Sequence, residues 1–202
     1  MGYSFKTFLK HTAKDFHNHS VNPPVVRAST IIFKSMSDIR RTQAKYKKDP
    51  RGGFFDYGRQ GTPTTHILQK ILNRLEESYH VFLTPTGFGS VFLALFSILR
   101  PGDEILVSDP VYNPTRMLTQ DYLKEFNIQT IFYNPHDLKS IKKQITKKTK
   151  LIFVENPGSN TFEFQDLSKI IKIAKRKKIF TAIDNTWATP YFFKPMKLGF
   201  DM

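Results

Sequence analysis

Residues 178–190, KIFTAIDNTWATP, decide how the rest of the sequence is interpreted. Residues 179–183 form a continuous run of apolar and β-branched side chains without alternation, which predicts a strand buried on both faces of a parallel sheet. Asp184 then follows at the carboxyl end of that strand, where open α/β sheets bind their ligands. A carboxylate held there needs a cationic partner, because the charged form loses hydration. A helix-capping or turn aspartate is the alternative.

Regular α/β units begin at Thr62 and continue to the end of the sequence. Thr62 followed by Pro63 is a typical helix start, and the apolar residues behind this pair recur at helical spacing. Behind Thr62, strand-like and helix-like runs alternate along the sequence. This alternation predicts a mostly parallel, doubly wound α/β sheet with helices on both faces. The alternating runs are residues 80–83, 88–99, 104–107, 115–125, 128–132, 138–145, 151–155, 167–176 and 179–183.

The first 61 residues lack this regularity and are interpreted as an extended arm. Residues 21–33 contain two adjacent prolines, and residues 40–61 are basic and then rich in glycine. An arm of this length cannot bury itself, so it is either disordered or docked on another subunit, and its aromatic side chains favour docking. We therefore predict an N-terminal arm over residues 1–61 and an α/β domain over residues 62–202.

The composition limits the classes of function. The 202 residues, of which 40% are hydrophobic, can bury one core, and the absence of cysteine excludes disulfides and thiolate metal sites. No run of about 18 apolar residues and no apolar signal core occur, so we expect a soluble cytoplasmic protein without a membrane span. The formal net charge of +14 first suggests nucleic-acid binding. However, the lysines of residues 167–178 alternate with apolar residues at helical spacing, which indicates a solvated helix face. A basic nucleic-acid-binding protein is therefore only a remote alternative.

A glycine-containing loop is predicted at the same edge of the sheet as Asp184. Residues 84–90, TPTGFGS, combine a strand end, a glycine turn and a helix start, an arrangement that aims free backbone N–H groups at an anion. The loop is not a Walker motif, because the Gly-Lys-Ser/Thr ending is missing. An ordinary glycine turn before a buried helix is the alternative.

Two further loops follow predicted strands and reach the same edge. In residues 109–116, DPVYNPTR, the Asn-Pro pair that begins at Asn113 predicts a helix start and leaves Tyr112 in the loop. A tyrosine at this position can stack on a flat cofactor or move a proton, whereas a packed surface tyrosine is the simpler alternative. Residues 155–161, ENPGSNT, form a polar turn after another buried strand. The three loops and Asp184 therefore converge on one edge of the sheet.

Six motifs in order carry a resemblance to a known family. They are VNPPVVRAST, DYGRQGTPTT, LTPTGFGSV, VSDPVYNPTR, ENPGSNTFE and IDNTWATP. Their order and spacing resemble the N-terminal half of the cystathionine β-lyases, in the Cys/Met-metabolism family of pyridoxal-phosphate enzymes. The resemblance implies the aspartate-aminotransferase-like fold (PLP fold type I), with an N-terminal arm that reaches the neighbouring subunit of a dimer, and dimers that pair into tetramers. The Pro-Gly-Ser at residues 157–159 is similar to β-lyases, whereas γ-synthases and γ-lyases more often have alanine and asparagine there.

The resemblance implies which residues bind the phosphate of the cofactor, pyridoxal 5′-phosphate (PLP). Tyr57 and Arg59 would bind the cofactor phosphate of the neighbouring subunit, and the arginine fork suits a phosphate in a bidentate manner. Gly87 and Phe88 would donate backbone N–H groups to the phosphate of their own subunit. The family usually has methionine or leucine in place of Phe88.

The resemblance also implies the roles around the cofactor ring and the reaction. Tyr112 would stack on the pyridine ring and help in proton transfer, and Asp184 would pair with the protonated pyridine nitrogen. The implied reaction is the β-elimination of cystathionine, an amino-acid substrate, to homocysteine, pyruvate and ammonia, a step of methionine biosynthesis.

The lysine that holds the cofactor in the family follows in a Ser-x-Thr-Lys-Tyr motif, which this 202-residue sequence does not contain. The smaller C-terminal domain of the family is also missing from it. We therefore expect a truncated domain, about half of an enzyme, that is inactive alone. It is either completed by a separately encoded C-terminal half or a non-catalytic remnant.

Overall fold

Four parallel strands form the sheet at the centre of residues 84–202. The computed structural model describes residues 22–202, and its strands are β1 (Glu104–Ser108), β2 (Gln129–Tyr133), β3 (Thr149–Glu155) and β4 (Phe180–Asp184). Their order is β2-β1-β3-β4, and every pairing is parallel. The strand order reverses between β1 and β3, which creates a crevice at their carboxyl ends.

Helices connect these strands and also precede them. The helices are α1 (Met36–Lys48), α2 (Pro63–Glu76), α3 (Gly87–Ile98), α4 (Asn113–Met117), α5 (Leu123–Glu125), α6 (Leu138–Gln144), α7 (Leu167–Lys177), α8 (Thr189–Phe192) and α9 (Pro195–Leu198). A π-helical turn, Leu118–Tyr122, joins α4 to α5. Among residues 22–202, no helix combines the length and the apolar character that a membrane crossing requires.

The sheet has a separate apolar core on each face. Along β1 the side chains alternate, so Ile105 and Val107 join one core and Leu106 joins the other. Residues of the first core include Leu95, Leu118, Leu123 and Phe153, and those of the second include Ile141, Ile152, Ile170 and Ala174. Because α3, the π-helical turn and α5 contribute to the first core and α6 and α7 to the second, helices cover both faces. The predicted doubly wound α/β fold is confirmed.

Residues 22–83 form an N-terminal unit, and residues 84–202 form a C-terminal unit. The N-terminal unit contains α1 within the predicted arm, where Ser35 caps the helix by accepting a hydrogen bond from the N–H of Asp38 at 3.2 Å. None of the residues of α1 is buried, so the helix lacks the apolar face by which helical periodicity is recognised. The sequence interpretation therefore missed this helix. The arm over residues 1–61 stays a prediction, and its residues 1–21 lie outside the described residues.

The predicted start of α2 is confirmed, but the short strand expected after it does not form. The backbone N–H of Thr62 donates to the hydroxyl of Thr65 at 2.8 Å, and Pro63 opens the first turn. Residues 80–83 are irregular, because no neighbouring strand pairs with their backbone within the described chain. Since α2 groups with the N-terminal unit, the predicted domain boundary at residue 61 stays a prediction.

The last residues of the sequence pair with the outer edge of β4. The N–H of Met202 donates to the carbonyl of Thr181 at 3.0 Å, and the N–H of Ile183 donates to the carbonyl of Met202 at 3.0 Å. This is the pattern of a parallel ladder. The side chain of Asp201 accepts hydrogen bonds from both the backbone and the hydroxyl of Thr181, each at 2.9 Å.

Candidate active site

A cavity lies at the carboxyl ends of β1, β3 and β4, beside the point where the strand order reverses. Its volume is about 720 Å³, within the range of about 300–1,000 Å³ that is usual for small-molecule sites. Four of the predicted site residues line it, namely Gly87, Phe88, Tyr112 and Asp184. Within residues 22–202, no group of His, Asp or Glu side chains is arranged to hold a metal ion.

The start of α3 forms one side of this cavity. The hydroxyl of Thr86 accepts a hydrogen bond from the N–H of Gly89 at 2.9 Å, and the helical bonding begins with the N–H of Ser90, 3.2 Å from the carbonyl of Thr86. The N–H groups of Gly87 and Phe88 therefore lie outside the hydrogen bonds of the helix. A Cβ atom on Gly87 would meet no described heavy atom within 4 Å, so open space adjoins these groups. This side of the cavity suits an anion.

Tyr112 enters the cavity from the loop after β1. The Asn-Pro pair at Asn113 starts α4 as predicted, which puts Tyr112 at the N-cap position with a non-helical backbone. Its N–H donates to Oε2 of Glu155 at 2.6 Å, so the loop is attached to the end of β3. About half of the Tyr112 side chain is exposed, which leaves its ring available to a flat ligand.

Asp184 is the last residue of β4 and faces the same cavity. Its Oδ1 accepts a hydrogen bond from the N–H of Thr186 at 3.0 Å, which fixes the carboxylate at the turn after the strand. The salt bridges among the described residues do not include Asp184. This carboxylate is therefore the part of the cavity that suits a cation.

Comparison with known proteins identifies the family. Residues 6–202 match the Cys/Met metabolism PLP-dependent enzymes. The chain belongs to this family. PLP is the cofactor of the family, and its members act on small amino-acid substrates.

Several members of the Cys/Met metabolism family are similar to this chain. One from Saccharomyces cerevisiae, named provisionally as a cystathionine beta-lyase, is 39% identical over 182 residues, which are 90% of this chain and 51% of the relative. One from Rhizobium johnstonii with the same provisional name is 37% identical over 198 residues, which are 97% of this chain and 48% of the relative. This chain therefore spans about half the length of the curated relatives it matches.

A solved structure shares the fold over nearly the whole chain. It comes from Campylobacter jejuni, is named provisionally as an O-acetylhomoserine (thiol)-lyase, and has a TM-score of 0.86 at 29% identity. The match covers 99% of this chain and 49% of that chain. That protein contains N'-pyridoxyl-lysine-5'-monophosphate, in which a lysine carries the pyridoxyl group.

The residues of the cavity fit the cofactor of the Cys/Met metabolism family. PLP has a phosphate, a flat ring and a ring nitrogen that binds a proton. The open N–H groups of Gly87 and Phe88 suit the phosphate, and the half-exposed ring of Tyr112 suits the flat ring. Asp184, which has no basic partner among the described residues, suits the protonated nitrogen.

Tyr57 and Arg59 lie in the N-terminal unit and are not among the residues that line this cavity. They are neighbours there, because the Arg59 guanidinium lies 5.2 Å from the centroid of the Tyr57 ring. The backbone beside them is tightly packed, since a Cβ atom on Gly58 would lie 1.9 Å from the carbonyl oxygen of Ala28. Only glycine allows this close approach. The roles that the resemblance implies for Tyr57 and Arg59 stay predictions.

Glu155 is a functional candidate that the sequence interpretation missed. It is the last residue of β3, only 3% exposed, and it lines the cavity between Tyr112 and Asp184. The pKa of Glu155 is raised to about 7, chiefly by burial. The hydrogen bond from Tyr112 lowers this pKa, and the charge of Asp184 contributes to its increase. A signal was present in the sequence, because LIFVE ends a buried strand with an acid just as FTAID does.

Proposed function

We propose that this chain supplies the cofactor-binding half of an enzyme that cleaves cystathionine by PLP-dependent β-elimination to homocysteine, pyruvate and ammonia. One observation carries the proposal: three features line the same cavity of the described chain. They are a helix start that suits an anion, a half-exposed tyrosine, and a carboxylate without a salt bridge. The names of several curated relatives, which give cystathionine cleavage as their activity, support the choice of substrate.

For the phosphate, the proposal uses two sets of donors. The backbone N–H groups of Gly87 and Phe88 would bind it from one side, aided by the positive end of α3. Tyr57 and Arg59 of a neighbouring copy of the chain would bind it from the other side, since a guanidinium contacts two phosphate oxygens at once. The site would therefore be complete only in a homo-oligomer, a dimer or a tetramer.

For the ring, the proposal assigns one role to each of two side chains. Tyr112 would stack on the ring, keep water from one of its faces, and carry a proton on its phenol oxygen. The carboxylate of Asp184 would hold the proton on the ring nitrogen, because an opposite charge at close range favours the protonated form. When bound, PLP supplies an electron sink for the electrons left on the α-carbon of the substrate.

The lysine that the resemblance implies would come from outside these 202 residues, because the Ser-x-Thr-Lys-Tyr motif does not occur in them. A separately encoded C-terminal half of a family member would supply it. The competing proposal is a non-catalytic remnant, which would bind PLP weakly or not at all.

The test combines the 202-residue chain with a C-terminal half that carries this lysine and measures pyruvate released from cystathionine. Asp184→Ala should reduce pyruvate release on the order of 100-fold or more, because the proton on the ring nitrogen loses its partner. Asp109→Ala is a matched control with no expected loss, since Asp109 also follows a strand but pairs with Arg116 and does not line the cavity.

The chain alone provides a second readout by equilibrium dialysis with PLP. We expect binding that Asp184→Ala weakens, and borohydride should leave no cofactor attached to the polypeptide because the family lysine is missing. A soluble wild-type mixture that releases no pyruvate, together with a chain that binds no PLP, would favour the remnant. Equal pyruvate from wild type and Asp184→Ala would show that Asp184 has a different role.

A further inference from the structure

One carboxyl group lies among the three loops that surround the cavity. Oε2 of Glu155, at the end of β3, accepts the hydrogen bond from the N–H of Tyr112 at 2.6 Å. The side chains of Ser159 and Trp187 line the cavity together with this carboxyl group and favour its charged form. Tyr112 follows β1, Ser159 follows β3 and Trp187 follows β4. The proposed function gives no role to this connection.

The backbone of Glu155 is held rigidly at the base of the cavity. Its N–H donates to the hydroxyl of Ser108 at 3.2 Å, and its carbonyl accepts a hydrogen bond from Nε2 of Gln165 at 2.9 Å. The amide of Gln165 is itself oriented by the buried hydroxyl of Tyr133, which donates to Oε1 at 2.9 Å. Such a chain of supporting contacts restricts the direction in which the carboxyl group points.

The charges around Glu155 are unbalanced. The register of β3 and β4 pairs Glu155 with Asp184, so two acids end adjacent strands. Of the residues that line the cavity, Tyr112, Glu155 and Asp184 are the titratable ones, and none is a lysine or arginine. Two charged carboxylates that are side by side and only partly hydrated repel each other. This repulsion favours a proton on one of them.

We propose that Glu155 is a positioning residue that holds the loops of Tyr112 and Trp187 on the two sides of the cavity, and that it exchanges a proton in response to the charge of Asp184. Its effect on the cofactor rests on the proposed function, since it acts through Tyr112. The hold on Trp187 and the proton exchange need no cofactor, so they can be tested on the chain alone.

Trp187 is the only tryptophan of the sequence, and it lines the same cavity as Glu155, so its fluorescence can report on that carboxyl group. We expect the fluorescence of the wild-type chain to change between pH 5 and pH 9 in one transition with a midpoint at about 7. Glu155→Gln should remove the transition, because the amide does not ionise. Asp184→Asn should lower the midpoint by roughly 0.5 to 1 pH unit, because it removes the like charge. His136→Gln, a change at an exposed histidine, should leave the midpoint unchanged.

Acrylamide quenching of Trp187 tests the positioning itself. Glu155→Ala should increase quenching, because it removes the acceptor that the proposal assigns to the indole N–H. Glu155→Gln keeps an acceptor oxygen and should behave like wild type. If Glu155→Gln fails to fold, which far-UV circular dichroism detects, Asp184→Asn alone still identifies the titrating group. Any one of three results would overturn the proposal. The transition could persist in Glu155→Gln, Asp184→Asn could leave the midpoint unchanged, or the alanine and glutamine variants of Glu155 could be quenched equally. None of these outcomes depends on PLP binding or pyruvate release, so the proposed function can fail independently.

Discussion

The proton on Glu155 determines how the stability of the C-terminal unit should depend on pH. The pKa of Glu155 is raised from its ordinary value of 4.5 to about 7 in the folded chain, chiefly by burial. Between these two values the folded state binds more protons than the unfolded state does. The free energy of unfolding therefore decreases as the pH rises through this window, and the contribution is constant above and below it.

The size of this decrease follows from the difference between the two pKa values. A difference of about 2.5, at about 1.36 kcal/mol for each pKa unit, sets an upper limit of about 3 kcal/mol. The cavity is open to water, which screens the charge of an ionised Glu155 and reduces its cost in the folded state. We therefore expect the wild-type chain to lose about 1 to 2 kcal/mol of unfolding free energy between pH 5 and pH 8.

Urea unfolding followed by the emission of Trp187 measures this loss, because Trp187 lies in the C-terminal unit. The comparison is between wild type and Glu155→Gln, which keeps an oxygen for the N–H of Tyr112 but does not titrate. Histidines contribute the same pH dependence to both proteins, so the difference between the proteins isolates Glu155. If wild type and Glu155→Gln lose the same free energy between pH 5 and pH 8, the assignment of the proton to Glu155 is refuted.

Two further substitutions test the supports of the cavity by urea unfolding. A Cβ atom on Gly158 would lie 2.7 Å from Cγ of Pro110, so Gly158→Ala should destabilise the chain by about 1 to 3 kcal/mol. Gly87→Ala is the control and should not destabilise the chain, because a Cβ atom on Gly87 meets open space. Equal stability of the two alanine variants would contradict this contact. Tyr133→Phe removes the hydroxyl that donates to Gln165 in the buried interior, so it should lower the free energy of unfolding by about 1 to 3 kcal/mol. A variant as stable as wild type would show that this hydrogen bond does not support the cavity.

The fold could be predicted from the sequence where an element is long and buried. The run at residues 151–154 is apolar throughout and lies in β3, and the apolar spacing of residues 167–176 becomes α7. The helix α1 could not be recognised in this way, because its stability does not depend on a buried face. Residues 80–83, three of which are apolar, have the composition of a strand, but a strand also needs a pairing partner, which the sequence does not specify.

The candidate site could be predicted where a single position implies its chemistry. An acid directly after a buried strand led to Asp184, and a glycine turn before a helix led to Gly87 and Phe88, all of which line the cavity. Glu155 could not be placed in this way, because its importance comes from a hydrogen bond to a residue 43 positions away and from the register with β4. Contacts of this kind depend on the strand order, which alternation alone does not determine.

The register of β3 and β4 explains why this cavity favours a cation. Glu155 and Asp184 end their strands side by side, and the lining of the cavity contains no basic side chain that would neutralise them. Two events remove the repulsion between the carboxylates: a proton binds to Glu155, or a cation binds beside Asp184. These events compete, because each makes the other less favourable by reducing the negative charge that attracts it. A cationic ring nitrogen that binds beside Asp184 should therefore release the proton from Glu155, and the charged Glu155 then accepts a stronger hydrogen bond from the N–H of Tyr112. By this coupling, a ligand at the end of β4 would tighten the loop after β1, although no residue of that loop pairs with β4.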